Sequence, residues 1–332
     1  MNQALMATMG LSRTVAWRGG AIRWRTALYC LLGLAVFAAA AALQPSRGIA
    51  VIYPDIGEPY RSVFVKIIEG IEEQTRSHVP SFAVSANPNP QDIAGELRRQ
   101  NIRVVIALGR NGLRFTSNLE SDIGVVAGGV LSIPEAEARN ISVLSLAPDP
   151  ALLFTRLQAF MPAAKRILVV YDPKQNAWLL RLAKEAASAR GLELVSHEAS
   201  DLKTALRIYQ DILASADPRR DALWLPQDST TVDEVSVLPL VLQETWARNL
   251  AFFSSSVSHV RRGALFALYP DNVEIGRRLA HSALGYLSSG GQVASGVMPL
   301  KAVLLAVNVR TAGHLGVKLE DKQNFALVFP EQ

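Results

Sequence analysis

The sequence predicts an α/β protein made of two Rossmann-like lobes with parallel sheets, hinge-linked by several crossovers and preceded by an N-terminal apolar leader helix. Three observations predict it. Residues 166–194 form one complete βαβ unit, and the same strand–helix alternation runs from residue 49 onward. The chain of 332 residues also leaves enough length after the leader for two lobes rather than one.

The leader comes first. Arg13, Arg18, Arg23 and Arg25 occur there without an acidic residue, and an uncharged run follows from Thr26 to Leu43. Small residues such as Ala40 and Ala42 fit a cleavable signal peptide, while the length of the run also fits an uncleaved membrane anchor. Both readings of residues 1–47 stay open. In either, the arginines remain in the cytoplasm and the folded part lies outside, in the periplasm. Cys30, the single cysteine, sits inside the apolar run, so a disulfide within the chain and a thiolate metal site are excluded. Leu28 and Tyr29 precede it, which suits a residue embedded in a membrane helix better than a lipidation site. The net charge of +5 reflects the four leader arginines; the remainder is near neutral, and a nucleic-acid partner is not indicated.

In the first lobe, strands are predicted at Ile49–Tyr53, Phe82–Ser85, Val104–Leu108, Ile123–Ala127 and Val143–Leu146. Between the first two, Tyr60–Arg76 is amphipathic, with Val63, Phe64, Ile67, Ile68 and Ile71 on one face. Helices also fit Asp92–Gln100 and Asn111–Asn118. Pro148-Asp149-Pro150 reads as the first hinge.

The second lobe opens with Ile167–Tyr171, an apolar and β-branched run stopped by Asp172-Pro173. A helix from Gln175 to Ala189 carries Trp178, Leu179, Leu182, Ala183 and Ala186 on its buried face, and Gly191 closes it. Further strands fit Leu192–His197, Ala222–Leu225, Leu250–Phe253 and Ala264–Ala267. Near Tyr269-Pro270-Asp271 the chain crosses back into a helix over Val273–Leu287, and Val303–Val307 returns as a late strand. These readings divide the folded part into one lobe of residues 48–148 and 270–298 and another of residues 149–269 and 299–332.

Tyr171-Asp172-Pro173 with Asn176 and Trp178, together with Leu223–Glu234, Ser254–Ala280 and Leu305–Leu319, resembles the family of ABC transporter substrate-binding proteins. That resemblance implies the type I periplasmic binding-protein fold, a cleft that captures a small molecule, no cofactor, and permease and ATPase subunits as partners of a monomer. Some members resemble tryptophan- or tyrosine-binding proteins. In those members a Thr-Pro pair commonly follows the third strand and an Asp-Pro pair the fourth. Here Gly109-Arg110 and Gly128-Gly129-Val130-Leu131 stand in those places, and an Asp-Asn step has become Asp228-Ser229. The changes fall on positions that would grip an amino-acid backbone.

Catalytic motifs are not apparent. His78, His197, His259, His281 and His314 are dispersed without metal-ligand spacing. Ser254–Ser258 lacks a nucleophile elbow, and Gly109–Gly112 lacks the lysine of a P-loop. Open α/β folds bind at the carboxyl ends of their strands. In the second lobe that edge supplies Tyr171, Asp172, Asn176, Gln227, Asp228, Ser229, Thr230, Ser255, Ser256, Ser258 and Tyr269. Asp228 either receives a ligand ammonium or caps a helix beginning near Thr231. Asn176 either faces the ligand or holds the turn, and Trp178 suits the core better than a stacking platform. In the first lobe the edge supplies Tyr53, Asp55, Gly109, Arg110, Asn111, Gly128 and Gly129. The glycines would admit a ligand to the backbone, and Arg110 would clamp an anion or simply lie in solvent. Asp55 and Tyr60 either face the ligand or cap and pack the first helix. A membrane-anchored sensor without transport, and an enzyme on the same fold, are the competing functions.

Overall fold

The computed structural model describes residues 48–85, 90–117, 119, 122–131, 133, 138, 141–291, 295–319 and 325–331. The expectations for the leader and Cys30, and the last residue of the helix expected to end at Asn118, lie outside them. Among the described residues, no helix is long and apolar enough to cross a membrane.

Along the chain run β1 (Ile49–Pro54), α1 (Tyr60–Thr75), β2 (Ser81–Val84), α2 (Pro90–Arg99), β3 (Val104–Leu108), α3 (Gly109–Thr116), β4 (Gly124–Val130) and β5 (Ser142–Pro148). There follow α4 (Pro150–Phe160), β6 (Arg166–Tyr171), α5 (Pro173–Ser188), β7 (Glu193–Glu198), α6 (Leu202–Ser215), β8 (Asp221–Leu225), α7 (Val237–Arg248), β9 (Ala251–Ser254) and α8 (Val257–Arg262). The last are β10 (Phe266–Pro270), α9 (Asn272–Ser288), β11 (Gly296–Leu300), β12 (Val303–Asn308), α10 (Val309–His314) and β13 (Leu327–Phe329).

The strands form two sheets, ordered β11-β5-β4-β3-β1-β2 and β13-β12-β10-β9-β8-β6-β7. Every pair is parallel except β10 with β12. Central strands are buried end to end, as their unbroken apolar runs require; β3 and β8 have no exposed residue. Helices cover both faces of each sheet. In the first, Ile67, Ile71, Ile275 and Leu279 fill one face, while Ile52, Leu97 and Phe115 fill the other. In the second, Phe154, Trp178 and Trp224 pack on one face and Tyr209, Leu238 and Phe252 on the other.

α1 and α9 cross at nearly direct backbone contact. A Cβ added to Gly70 would lie 1.9 Å from the Val273 carbonyl oxygen, and one added to Gly276 would lie 2.0 Å from that of Ile67. Only glycine at both positions allows this crossing, which seats a helix entered from the second sheet firmly against the first.

The chain passes between the sheets three times, after β5, after β10 and after β11. The crossings are bonded together. Asp149 N–H donates to the Leu300 carbonyl at 2.8 Å, and Asp271 N–H donates to that of Ala302 at 3.0 Å. Both aspartates also cap the helix that follows, accepting from Ala151 N–H and Glu274 N–H. The expected strand at Ala264–Ala267 forms instead at Phe266–Pro270. Its early residues are otherwise engaged: Ala264 N–H closes α8 onto the His259 carbonyl, and Leu265 N–H donates to Phe252.

Candidate ligand-binding site

The parallel strands bring their carboxyl ends, and the predicted residues on them, to one edge of each sheet. In the second sheet, six of the predicted residues form one hydrogen-bonded net around Asp228. Its buried carboxylate accepts from Asp172 N–H and Asn176 Nδ2 at 2.8 Å each, from Thr231 N–H at 2.9 Å and from Thr230 N–H at 3.0 Å. Four donors occupy the group. Asp228 thus clasps the β6–α5 turn to the loop after β8. No helix starts near Thr231; the loop continues as turns to Val237, so the expected helix cap is a turn cap.

The local sequence explains the clasp. Asp172 is the N-cap of α5 and accepts from Lys174 N–H at 2.9 Å, with Pro173 in the first turn. Gln175 stands at the position where a capping box would return a side chain to the cap N–H. That N–H is already held by Asp228, so Gln175 reaches across instead. Its amide donates to Thr230 Oγ1 at 2.7 Å and accepts from Ser229 Oγ at 3.0 Å. Thr230 Oγ1 in turn donates to Asp172 at 2.8 Å. Burial pushes the Asp172 carboxyl up, but donation from Lys174 N–H, the Thr230 hydroxyl and the Gln175 amide outweighs it and holds the group below the usual carboxylate range. Asn176 holds both Asp228 and the Gln227 carbonyl, so it is part of the clasp.

Gln227 joins this net to the next strand end, donating from Nε2 to the Ser255 carbonyl at 3.2 Å. Its Oε1 is buried and has no partner among the described residues. Ser256 and Ser258 belong to a second net. Their hydroxyls lie 2.8 Å apart, and Ser258 donates to Glu234 Oε1 at 3.1 Å. Beneath them, Ser254 Oγ lies 2.7 Å from His259 Nδ1 and accepts from Ser256 N–H. His259 Nε2 faces Glu234 Oε1 at 3.5 Å, and Arg262 contacts the same carboxylate. Burial depresses the His259 pKa, Glu234 opposes that and Arg262 assists it. Ser254 is fully buried, so the array ties two loops rather than presenting a nucleophile.

Two tyrosines complete this edge. Tyr171 donates to Glu198 at 2.7 Å, and its pKa is pushed up to about 12 by burial and then by that carboxylate. Tyr269, half-buried, is raised by burial and Asp271. Trp178 is in the core, as expected.

The first-sheet edge is different in kind. The glycines are occupied by the protein itself. A Cβ on Gly109 would sit 2.9 Å from Pro54, and one on Gly128 would sit 2.7 Å from Leu279. Gly109 and Gly129 both have positive φ, 67° and 69°, and Gly129 packs on Gly109 and Phe64. These contacts shape the edge. Arg110 is exposed in the first turn of α3, with half-buried Asn111 beside it, and among the described residues Arg110 has no ion-pair partner. Tyr53 is half-buried and Asp55 exposed. Neither capping nor packing accounts for Asp55 and Tyr60: the N-cap of α1 is Pro59, without a side-chain bond, and Tyr60 is 66% exposed. Ile56 and Leu131 are exposed at the same edge.

The family described as ABC transporter substrate binding protein matches residues 83–325. The chain belongs to that family. Among solved structures, this substrate-binding protein is similar to the ligand-free, open structure of CD0873, a substrate binding protein with adhesive properties from Clostridium difficile. The identity is 18%, over 85% of this chain and 99% of that one, with a TM-score of 0.61. It is also similar to an ABC domain in complex with L-Trp from Streptococcus pneumonia, at 15% identity over 84% and 98%, TM-score 0.54. A conserved domain protein from Vibrio cholerae is 20% identical over 85% and 99%, TM-score 0.52. At these identities the likeness is one of fold, the type I periplasmic binding-protein fold. No curated protein matches the sequence.

Sequence reasoning missed Gln175, Glu198, Glu234, His259 and Arg262 in this substrate-binding protein. Gln175 carried a signal, since Asp-x-x-Gln at a helix start is a capping pattern. The other four are brought in by tertiary contacts that no spacing announces.

Proposed function

We propose that the protein captures a small molecule between the carboxyl edges of its two sheets and delivers it, outside the cytoplasm, to the permease and ATPase of an ABC-type importer. The observation that carries this reading is the contrast between the edges. One is a rigid hydrogen-bonded net; the other presents Tyr60, Ile56, Leu131 and Arg110, which has no ion-pair partner among the described residues, to solvent, where a closing lobe would cover them. Three bonded crossovers supply a hinge about which residues 48–148 with 270–298 and residues 149–269 with 299–332 would close.

The ligand chemistry that suits these groups is an amino acid with a flat side chain. Tyr60 is a stacking platform, and Arg110 is a clamp for the carboxylate. With Asp228 holding four donors, the ammonium would be received by the amide Oε1 of Gln227, which has no partner among the described residues and would become reachable as the lobes close. The L-Trp bound to the pneumococcal relative supports this choice. A thermal-shift screen of amino acids, sugars, nucleosides and small anions tests it. A ligand at a hundred times its Kd adds about 2.7 kcal/mol of stability, enough to raise Tm by several degrees. Aromatic amino acids are expected to give that shift; a shift from sugars alone would overturn the ligand class.

A further inference from the structure

The second sheet carries a cavity at the end of its strands opposite the cleft edge. Asn308 pairs with the start of β10, its N–H donating to the Leu265 carbonyl, while Tyr269 and Pro270 lie at the other end. Asn308 and Leu250, which precedes β9, both line a cavity of about 700 Å³ between α7, the end of α8 and α10. Strands of five residues separate it from the cleft edge by roughly 16 Å.

Its chemistry is one-sided. Arg261, Arg262, Arg310 and His314 line it, and no aspartate or glutamate does so among the described residues. Arg262 is committed to Glu234, but Arg310 has no acidic partner among the described residues, and the carboxylate contacted by Arg261 is 3.8 Å away. The aromatic groups are set beside these cations. Trp246 stacks flat on His314, with centroids 3.7 Å apart and 5° between planes, and the imidazole is fixed by its Nε2 at 3.0 Å from the Trp246 carbonyl. The Arg310 guanidinium lies 5.4 Å from the Trp246 ring centroid, and that of Arg261 lies 5.3 Å from Phe329. A tryptophan this firmly positioned is nevertheless 42% exposed, far from the cleft that the family reading uses.

We propose that this cavity is a second ligand site, for an organic oxyanion joined to a flat ring, with Arg261 and Arg310 on the anion and Trp246 against the ring. Both guanidiniums line the cavity without a close carboxylate among the described residues, and an oxyanion bound there would accept from them. The volume suits a small aromatic molecule. The site depends neither on cleft closure nor on the identity of the cleft ligand.

Calorimetric titration of the full chain with naphthalene-2-sulfonate tests it, with methanesulfonate as the anion alone and 2-naphthalenemethanol as the ring alone. The sulfonate is expected to bind, each half-probe about tenfold or more weaker, and Arg261→Ala with Arg310→Ala to lose about tenfold in affinity. Both arginines are exposed, so the double variant should keep its circular dichroism. Trp246→Leu is a second variant with the same expected loss. Binding of naphthalene-2-sulfonate to both variants within about twofold of the unaltered chain, or its absence at about 1 mM, would overturn the proposal.

Discussion

Replacing Asp228 by alanine separates two accounts of the residue that the sequence left open. In the structure its carboxylate takes four hydrogen bonds, two of them from the β6–α5 turn and two from its own loop, and it is 4% exposed. Hydrogen bonds to a charged group are worth about 1.5–3 kcal/mol each, though they do not add when they share an acceptor. A buried donor left without an acceptor costs about 1–3 kcal/mol, and the costs overlap where several donors shared one group. Asp228→Ala leaves three backbone N–H groups without an acceptor, and the Asn176 amide with the Gln227 carbonyl alone, so we expect a loss of about 4 kcal/mol. Asp228→Asn keeps one acceptor and turns an amide on the remaining donors, for about 2 kcal/mol. Urea unfolding followed by circular dichroism measures both. Asn176→Ala combined with Asp228→Ala should lose clearly less than the sum of the single losses, because the two share one bond. A loss under about 1 kcal/mol for Asp228→Ala, with ligand affinity abolished, would refute the clasp and restore the ammonium acceptor.

Gly70→Ala should be among the most destabilising single changes, by at least about 3 kcal/mol, because its methyl would meet the Val273 carbonyl oxygen at 1.9 Å and force α1 from α9; thermal unfolding checks this. Acidification should lower Tm in two stages. His259 has a depressed pKa, so its contribution is present above the unfolded value of about 6.5 and lost as pH falls through the folded one. Asp221 is fully buried; burial pushes its carboxyl up, but the paired bonds from Arg166 at 2.7 and 2.6 Å and the bond from Asp217 N–H outweigh it and hold it down. Its contribution is present above about pH 4 and lost below, and Asp172 has the same sign. A Tm unchanged from about pH 7 to pH 5 would contradict the His259 assignment, and one unchanged from about pH 5 to pH 2.5 would contradict the aspartates. Tyr60→Ala should leave stability within about 0.5 kcal/mol, since the ring is exposed, while weakening the cleft ligand about tenfold.

Much of the framework is legible because burial writes it into the pattern. Runs such as Val104–Leu108 and Ile167–Tyr171 are apolar on both faces, and that composition has few uses outside a covered parallel strand. α1 and α9 are equally plain from their periodic faces. The helices at 150–160 and 202–215 are marked by their caps, Asp149 and Asp201. The site is less legible because its polar residues face one another. Asp228, Asn176 and Gln175 look alike whether they await a ligand or clasp two loops, and only the three-dimensional pairing of β6 with β8 decides. The same holds for Gly109 and Gly128, whose neighbours Pro54 and Leu279 come from distant segments.

The central claim is that one ligand touches both sheet edges. Hydrogen–deuterium exchange of the full chain, with and without the best ligand from the thermal screen, tests it most directly. The account predicts added protection at residues 55–60 and 109–111 together with residues 226–231 and 254–258. Protection confined to one of these lobes, or found only around Trp246, would contradict it.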